Sequence, residues 1–296
     1  MTDRPPVCDY EGSQYQSTFW EQGERAYEDQ TEARALRALL PPNGKLMLEI
    51  GAGAGRNTPR YTGFERVVLL DYSRTQLQQA QERLGRSDRY LYVAADVYRL
   101  PFAPGLFDAA TMIRVIHHLA EAPTALRQIR EVLQTGGTFI LEFANKQHLK
   151  AIARWVLGHQ TWSPFDPQPV EFVKLNFDFH PRTILDWLAG AQFQPQQVRA
   201  LSYFRVGLLK RLAPTGVLVA LDSLLQPTGQ WFQFSPSVFV RARADGEGVA
   251  ALPGQFFRCP ECRSVDLKDN GDHLRCAGCD RRWAIRDGIY DFKEPL

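Results

Sequence analysis

Three glycines in alternation set the strongest constraint on what this chain can fold into. They are Gly51, Gly53 and Gly55, inside the stretch Leu46 to Asn57. An apolar run, Leu46-Met47-Leu48, leads to them through Glu49 and Ile50. Such a run reads as a buried strand that stops at a tight turn. Glycine lacks a Cβ, so it takes positive φ and lets a ligand lie against the backbone. The pattern predicts that the turn hands the chain to a helix at about Gly55 or Arg56. The free N–H groups and positive dipole end of that helix would face the ligand.

The downstream chain repeats the theme of a strand followed by a polar junction. Arg66 to Asp71 (RVVLLD) is a second strand ending in an acid, 22 positions after Glu49. A carboxylate at that place accepts hydrogen bonds from ribose hydroxyls. Ser73 to Leu84 reads as a helix with Leu77, Ala80 and Leu84 inward and Gly85 as its stop. Tyr90 to Ala95 is a third strand, followed by Asp96, and Phe107 to Ile113 a fourth. The fourth runs into Arg114-Val115-Ile116-His117-His118-Leu119. A crossover helix, Pro123 to Leu133, and a fifth strand, Thr138 to Phe143, follow. The junctions at Gly51, Asp71, Asp96 and His117 all fall at C-terminal strand ends, where open α/β sheets bind ligands.

The dinucleotide fingerprint G-x-G-x-x-G is not met, because its third glycine position is occupied by Arg56. That makes a nicotinamide-dependent reductase a poor reading. The order acid-x-G-x-G-x-G, with acids closing the next two strands, instead resembles class I S-adenosylmethionine (SAM) methyltransferases, over roughly Leu36 to Phe143. The resemblance implies an α/β fold: a Rossmann-like, seven-stranded, mostly parallel sheet with helices on both faces. The antiparallel pair that closes such a sheet is placed at Gln197 to Tyr203 and Val238 to Ala242. The cofactor-binding set it implies is Glu49, Gly51, Gly53, Gly55, Asp71, Tyr72, Asp96, Val97 and Arg114. Within it Glu49 stands near the SAM ammonium, Asp71 takes the ribose, Asp96 the adenine amino group, and Val97 packs by the ring. His117 and His118, at the end of the fourth strand, are the candidate catalytic bases. His180 is a secondary candidate. No Asn/Asp-Pro-Pro-Tyr motif follows the fourth strand and no cysteine lies near it. Amino methylation of DNA and covalent C5-pyrimidine methylation are thereby disfavoured.

The chain has 296 residues, 44% of them hydrophobic and 23% charged, with a net charge of +2. These are the proportions of an ordinary globule without a general electrostatic grip on nucleic acid or membrane. No apolar signal core opens the sequence and no apolar run reaches spanning length, so the expected location is cytoplasmic. Phe19 to Leu40 reads as a packing helix with a solvated charged face, in preference to one whose Tyr27 or Arg34 closes over the cofactor. Residues 1–243 are read as the SAM-binding domain, with a helical cap insertion at about 146–226. Residues 146–211 hold nine Lys or Arg and four acids, 9 − 4 = +5, among dense aromatics such as Trp155, Trp162, Phe172 and Trp187. A basic, aromatic cap beside a cofactor edge stacks an unpaired base or wraps an apolar or anionic small molecule. Val206 to Gln226 reads as an apolar helical pair about Pro214, whose few charges favour a packed lid over a segment lying on a membrane face.

Residues 244–254 have the composition of a linker. Beyond them Cys259, Cys262, Cys276 and Cys279 form C-x2-C-x13-C-x2-C, the spacing of a closed, structural four-cysteine zinc site. Residues 255–296 resemble the small zinc-ribbon family that activates methyltransferases as a separate subunit, relatives of which are also fused to them. Their eight basic and eight acidic residues sum to zero, which suits docking or stabilisation better than a grip on phosphates. Cys8 is an odd cysteine without a role. The expected function is methyl transfer from SAM to a small-molecule acceptor, apolar or lipid-linked. The alternatives are a tRNA or rRNA methyltransferase, and a SAM-binding module that does not turn over.

Overall fold

The apolar runs become strands because each is buried on both faces, the condition for parallel strands sandwiched between helices. A computed structural model describes residues 4–13, 18, 20, 25–246 and 248–296. The strands are β1 (Gly44–Ile50), β2 (Phe64–Asp71), β3 (Tyr90–Ala94), β4 (Phe107–Met112), β5 (Leu133–Ala144), β8 (Phe193–Leu201) and β9 (Ser237–Ala244), with the short hairpin β6 (Val170–Val173) and β7 (Asn176–Asp178) apart from them. Their order is β3-β2-β1-β4-β5-β9-β8. The first five run parallel, and β9 is antiparallel to both β5 and β8. This is the expected mostly parallel, Rossmann-like sheet.

Alternate residues along each strand feed opposite faces. Met47, Val67 and Leu69 pack under α2 (Arg74–Leu84) through Leu77 and Ala80. Ile140 and Phe239 lie on the same side, beneath Leu36 and Leu39 of α1 (Ala26–Leu39). Leu48, Val68 and Leu141 face the other way, onto Leu126 and Ile129 of α3 (Ala122–Val132) and Leu188 of α5 (Pro181–Gly190). The expected helix start at Phe19 lies outside the described residues. Tyr27 does not reach the cofactor side: its hydroxyl donates to Asp222 (2.6 Å) in the buried seam with α7 (Thr215–Leu225). Arg34 is exposed.

The glycine turn does not lead into an α-helix, contrary to the sequence reading. Residues 51–57 are turns, followed by a short 3-10 helix, Thr58–Arg60. Gly51, Gly53 and Gly55 all have positive φ, and β2 begins at Phe64, so too few helix-compatible residues remain for an α-helical crossover.

The second departure is at the other edge. β10 (Leu267–Asp269), β11 (His273–Cys276), β12 (Arg282–Arg286) and β13 (Ile289–Asp291) form an antiparallel meander. β13 then pairs in parallel with β3, Ile289 opposite Tyr92 and Asp291 opposite Ala94. Among the described residues the ribbon therefore extends the central sheet to eleven strands. Its Trp283 and Phe292 are 1% exposed and join the main core. Phe257 stacks on Phe102, and Arg258 grips Glu131 through two hydrogen bonds (2.6 and 3.2 Å). Sequence patterning carries no sign of this union, because strand pairing across distant segments leaves no local signal.

Candidate active site

The C-terminal ends of β1, β2 and β4 open onto a cleft that is partly open to solvent. Glu49, Gly51, Gly53, Asp71, Tyr72, Val97, Arg114 and His118 all line it. Gly51 has φ +66°, and a Cβ there would stand 2.1 Å from Val115 Cγ2, so both conformation and space demand glycine. Gly53 has φ +54° and open room above it, and its N–H donates to Asp71 Oδ2 (2.8 Å). Asp71 Oδ1 accepts from Ser73 N–H (2.9 Å), so the carboxylate is aimed before any ligand arrives. Burial still pushes the Asp71 carboxyl above its usual range. Beside it Gln76 Oε1 is buried with no partner, an acceptor turned toward the cleft that sequence reading missed.

Glu49 is 4% exposed and accepts from Thr58 Oγ1 (2.6 Å) and Tyr61 Oη (3.2 Å). Burial pushes its carboxyl up to about 7, against those two donors and the more distant Arg56 and Arg60. Arg114 takes a left-handed backbone (φ 59°) at the end of β4, and its N–H donates to Glu142 (2.8 Å). Its guanidinium meets Glu32 (2.5 Å), which also holds Arg56 (2.7 Å), and Asp29 holds Arg56 in turn. Burial alone would raise the Glu32 carboxyl, but Arg114 and Arg56 bring it below the carboxylate range. Trp20 lies across both guanidinium planes, 3.6 Å from that of Arg56 and 4.8 Å from that of Arg114. The two cations at the cleft are thus neutralised and roofed by an aromatic ring.

Three of the expected residues are not on the cleft wall. Gly55 (φ +71°) is required by packing, since a Cβ would meet Leu84 Cδ1 at 2.7 Å. Asp96 turns away to cap the Val97–Arg99 turn, accepting from Tyr98 N–H (2.9 Å). His117 is packed against His118, ring centroids 4.2 Å apart, with its Nδ1 buried and unpartnered. Burial, with His118 and Arg114 nearby, drives its imidazole far below the ordinary range. His118 is on the wall. Its Nδ1 lies 2.9 Å from the Leu175 carbonyl, which only accepts, so Nδ1 carries the hydrogen. Its Nε2 then accepts from Tyr10 Oη (3.2 Å). Burial also lowers His118, opposed by the Leu175 bond.

The N-terminal segment was the main omission of sequence reading. Val7, Cys8 and Tyr10 line the cleft, and Cys8, read as idle, stands there with its thiol raised by burial. Residues 4–13 are pinned at both ends. Arg4 pairs with Glu294 (2.6 Å) of the ribbon, and Glu11 accepts from the N–H groups of Arg74 (2.9 Å) and Thr75 (3.2 Å) at the start of α2. The one available signal was the aromatic crowding between Tyr10 and Trp20 in a chain start otherwise free of pattern.

In the ribbon the four cysteine Sγ atoms lie within 4.8 Å of one another. Cys259 and Cys279 approach to 3.7 Å, and Cys262 and Cys276 to 3.4 Å. Tetrahedral thiolates on one zinc ion, at Zn–S distances of about 2.3 Å, stand roughly 3.8 Å apart. The donor set and its spacing fit that ion.

A glycine turn at the end of β1, an aimed carboxylate at the end of β2 and this strand order are the arrangement of class I SAM-dependent methyltransferases and support an enzyme of that class. In agreement, residues 48–141 match the methyltransferase domain family. A demethylmenaquinone methyltransferase of Clavibacter sepedonicus is 26% identical over 61% of this chain and 78% of its own length. The malonyl-[acyl-carrier protein] O-methyltransferase of Erwinia pyrifoliae is 31% identical, over 41% of this chain and 46% of its own, so the chain spans less than half of that relative. Among solved structures, a chain from the complex between the Haloferax volcanii Trm112 methyltransferase activator and a methyltransferase superposes with a TM-score of 0.55 at 14% identity. That superposition covers 78% of this chain and 96% of the other, and speaks for the fold alone. No helix among the described residues is long and apolar enough to cross a membrane.

Proposed function

We propose that the enzyme methylates a small, apolar acceptor with a ring or chain that fills the cleft beyond the glycine turn. One observation carries this reading. Both arginines at the cleft are committed to Glu32 and Asp29, and the apolar side chains of Ile113, Val115, Leu119 and Trp20 line the cleft with them. A phosphate backbone needs cations that are free to release counterions, whereas an apolar ring needs this kind of surface. The likeness to demethylmenaquinone methyltransferases, which spans most of one such relative, supports an acceptor of that chemical kind. Methyl-labelled SAM incubated with the enzyme and a total lysate tests it. Label is expected in the organic-soluble fraction. Label in RNA that nuclease removes would sink the proposal.

In this reading Asp71 and Gln76 hold the ribose, and Gly51 and Gly53 let the amino-acid end lie on the backbone. SAM supplies an activated methyl on sulfur. The acceptor's nucleophilic atom forms the new bond, the carbon–sulfur bond breaks to S-adenosylhomocysteine, and the acceptor's proton passes to a base. His118 is the base we assign, acting through Tyr10: its Nε2 takes the Tyr10 hydroxyl proton as that oxygen receives the acceptor's, and its Nδ1–H is anchored on Leu175. His118→Gln should lower kcat by roughly 10²-fold, within the usual range for a lost general base. Burial lowers the His118 imidazole from its ordinary range, so its neutral, basic form persists further into acid. The kcat at saturating SAM should therefore fall only in acid, while SAM affinity should also follow the Glu49 carboxyl at about 7. An unchanged kcat in the variant would remove His118 from the mechanism.

The four ribbon cysteines, in the same reading, hold one structural zinc and leave it no open position. Residues 255–296 then act as a built-in brace for the methyltransferase domain, joined to it by the linker that begins after Ala244.

A further inference from the structure

The face formed by α4 (Leu149–Val156), α6 (Gly207–Leu212), α7 and the turn at Trp231–Phe232 is at once apolar and cationic. We propose that it seats the enzyme on the surface of an anionic lipid bilayer.

The elements belong to one surface. Leu149 N–H donates to the Phe234 carbonyl (2.9 Å), tying α4 to the turn, and α7 packs against the 3-10 helix Gln226–Gln230 that leads into that turn. Among the described residues, neither α6 nor the outer side of α7 is covered. α6 has no buried residue at all. α7 turns Leu218 and Val219 toward Tyr27 of α1, and leaves Leu224 75% exposed on its other side. Leu212 is 74% exposed, Trp231 69% and Val156 69%. Isolated apolar residues in water are normal, but a grouped set this exposed marks an interaction surface. A helix of six residues with nothing buried has little of its own to hold it in water.

Charge selects the occupant. Lys150, Arg154, Lys210 and Arg211 lie on these helices, whose one acid, Asp222, is buried and accepts from Tyr27. Glu28 offsets Lys210 (3.1 Å) and Arg205 (3.6 Å) from beneath, while Lys150 and Arg211 are exposed on the outside. Leucines and a tryptophan with a lysine and arginine fringe are the composition of an element that lies in the plane of a bilayer interface. Anionic headgroups answer the fringe. A second copy of this chain answers it badly, since a two-fold contact would bring the same cations face to face.

The placement also orders the fold against the bilayer. The face grows from segments that follow β5 and β8 and precede β9, so it surrounds the same end of the sheet as the cleft. The inference does not rest on the acceptor assigned above, and a water-soluble acceptor would leave it standing.

The test uses the full chain, sedimented with vesicles of phosphatidylcholine alone or of phosphatidylcholine mixed equally with phosphatidylglycerol. The protein should pellet with the mixed vesicles, remain in solution with the neutral ones, and be partly released by high salt. Leu212→Glu with Leu224→Glu should weaken vesicle binding at least about tenfold, and Lys150→Glu with Arg211→Glu should do the same. Both pairs lie outside the cofactor cleft, so SAM affinity should be unchanged and serves as the folding control. Wild-type protein that stays in solution with both vesicles would overturn the proposal. So would a dimer that the leucine pair dissolves, because the occupant would then be a second copy.

Discussion

Removal of the ribbon metal, by chelation or by Cys276→Ser, is expected to melt residues 255–296 and to strip the edge partner from β3. Structural zinc in so small a unit is worth on the order of 10 kcal/mol of folding free energy. Cys276 is fully buried, so no other ligand can replace it. The damage should not stop at the ribbon. Phe292 N–H donates to the Ala94 carbonyl (2.8 Å), one residue before the turn into Asp96. Glu261, between two of the cysteines, holds Arg99 (2.6 Å), and Arg99 lies 3.8 Å from Asp96. Losing Glu261 therefore loosens the turn that carries Val97 on the cleft wall. Hydrogen exchange should show β3 amides opening, with a fall in SAM affinity of roughly tenfold or more by calorimetry. If β3 protection and SAM affinity both survived while zinc was lost, the ribbon would be an independent appendage.

Asp71→Ala should raise the SAM dissociation constant by about a hundredfold or more, with the fold retained. The substitution removes a ligand for ribose hydroxyls and leaves the Gly53 N–H without its partner (2.8 Å) at the point where the cofactor must lie. A charged acceptor of hydrogen bonds is worth roughly 1.5–3 kcal/mol, and an orphaned buried donor adds to the loss. Asp71→Asn keeps one acceptor oxygen and should fall between the two. Binding within about twofold of wild type in Asp71→Ala would show that the ribose contact lies elsewhere.

What was legible in the sequence follows from how local the signal is. Gly51, Asp71 and His118 could be placed at the cleft from sequence because each follows a strand whose apolar run announces it. Asp96 occupied the expected place in the chain, yet its side chain answers to the Tyr98 N–H, a choice between neighbours that spacing does not encode. The helix after Gly55 failed because a turn-rich segment with Pro59 was read by its glycine pattern and not by its length. Tyr10 was missed because a chain start without periodicity gives no direction, and only the fold brings it over the cleft; Trp20 lay inside the expected helix without being singled out. The cap cations were counted as a basic surface. Lys146 is instead buried, its Nζ donating to the Gln168 carbonyl (2.6 Å), and Arg205 and Lys210 lean on Glu28.

The parallel pairing of β13 with β3 is a contact that two separate chains would form only above some threshold of abundance. Here a short tether between β9 and the first ribbon cysteine keeps the two edges within reach at an effective concentration in the millimolar range. Dilution therefore cannot part them. Each molecule carries its brace at one-to-one stoichiometry, and the union of the two edges does not depend on how much enzyme the cell makes.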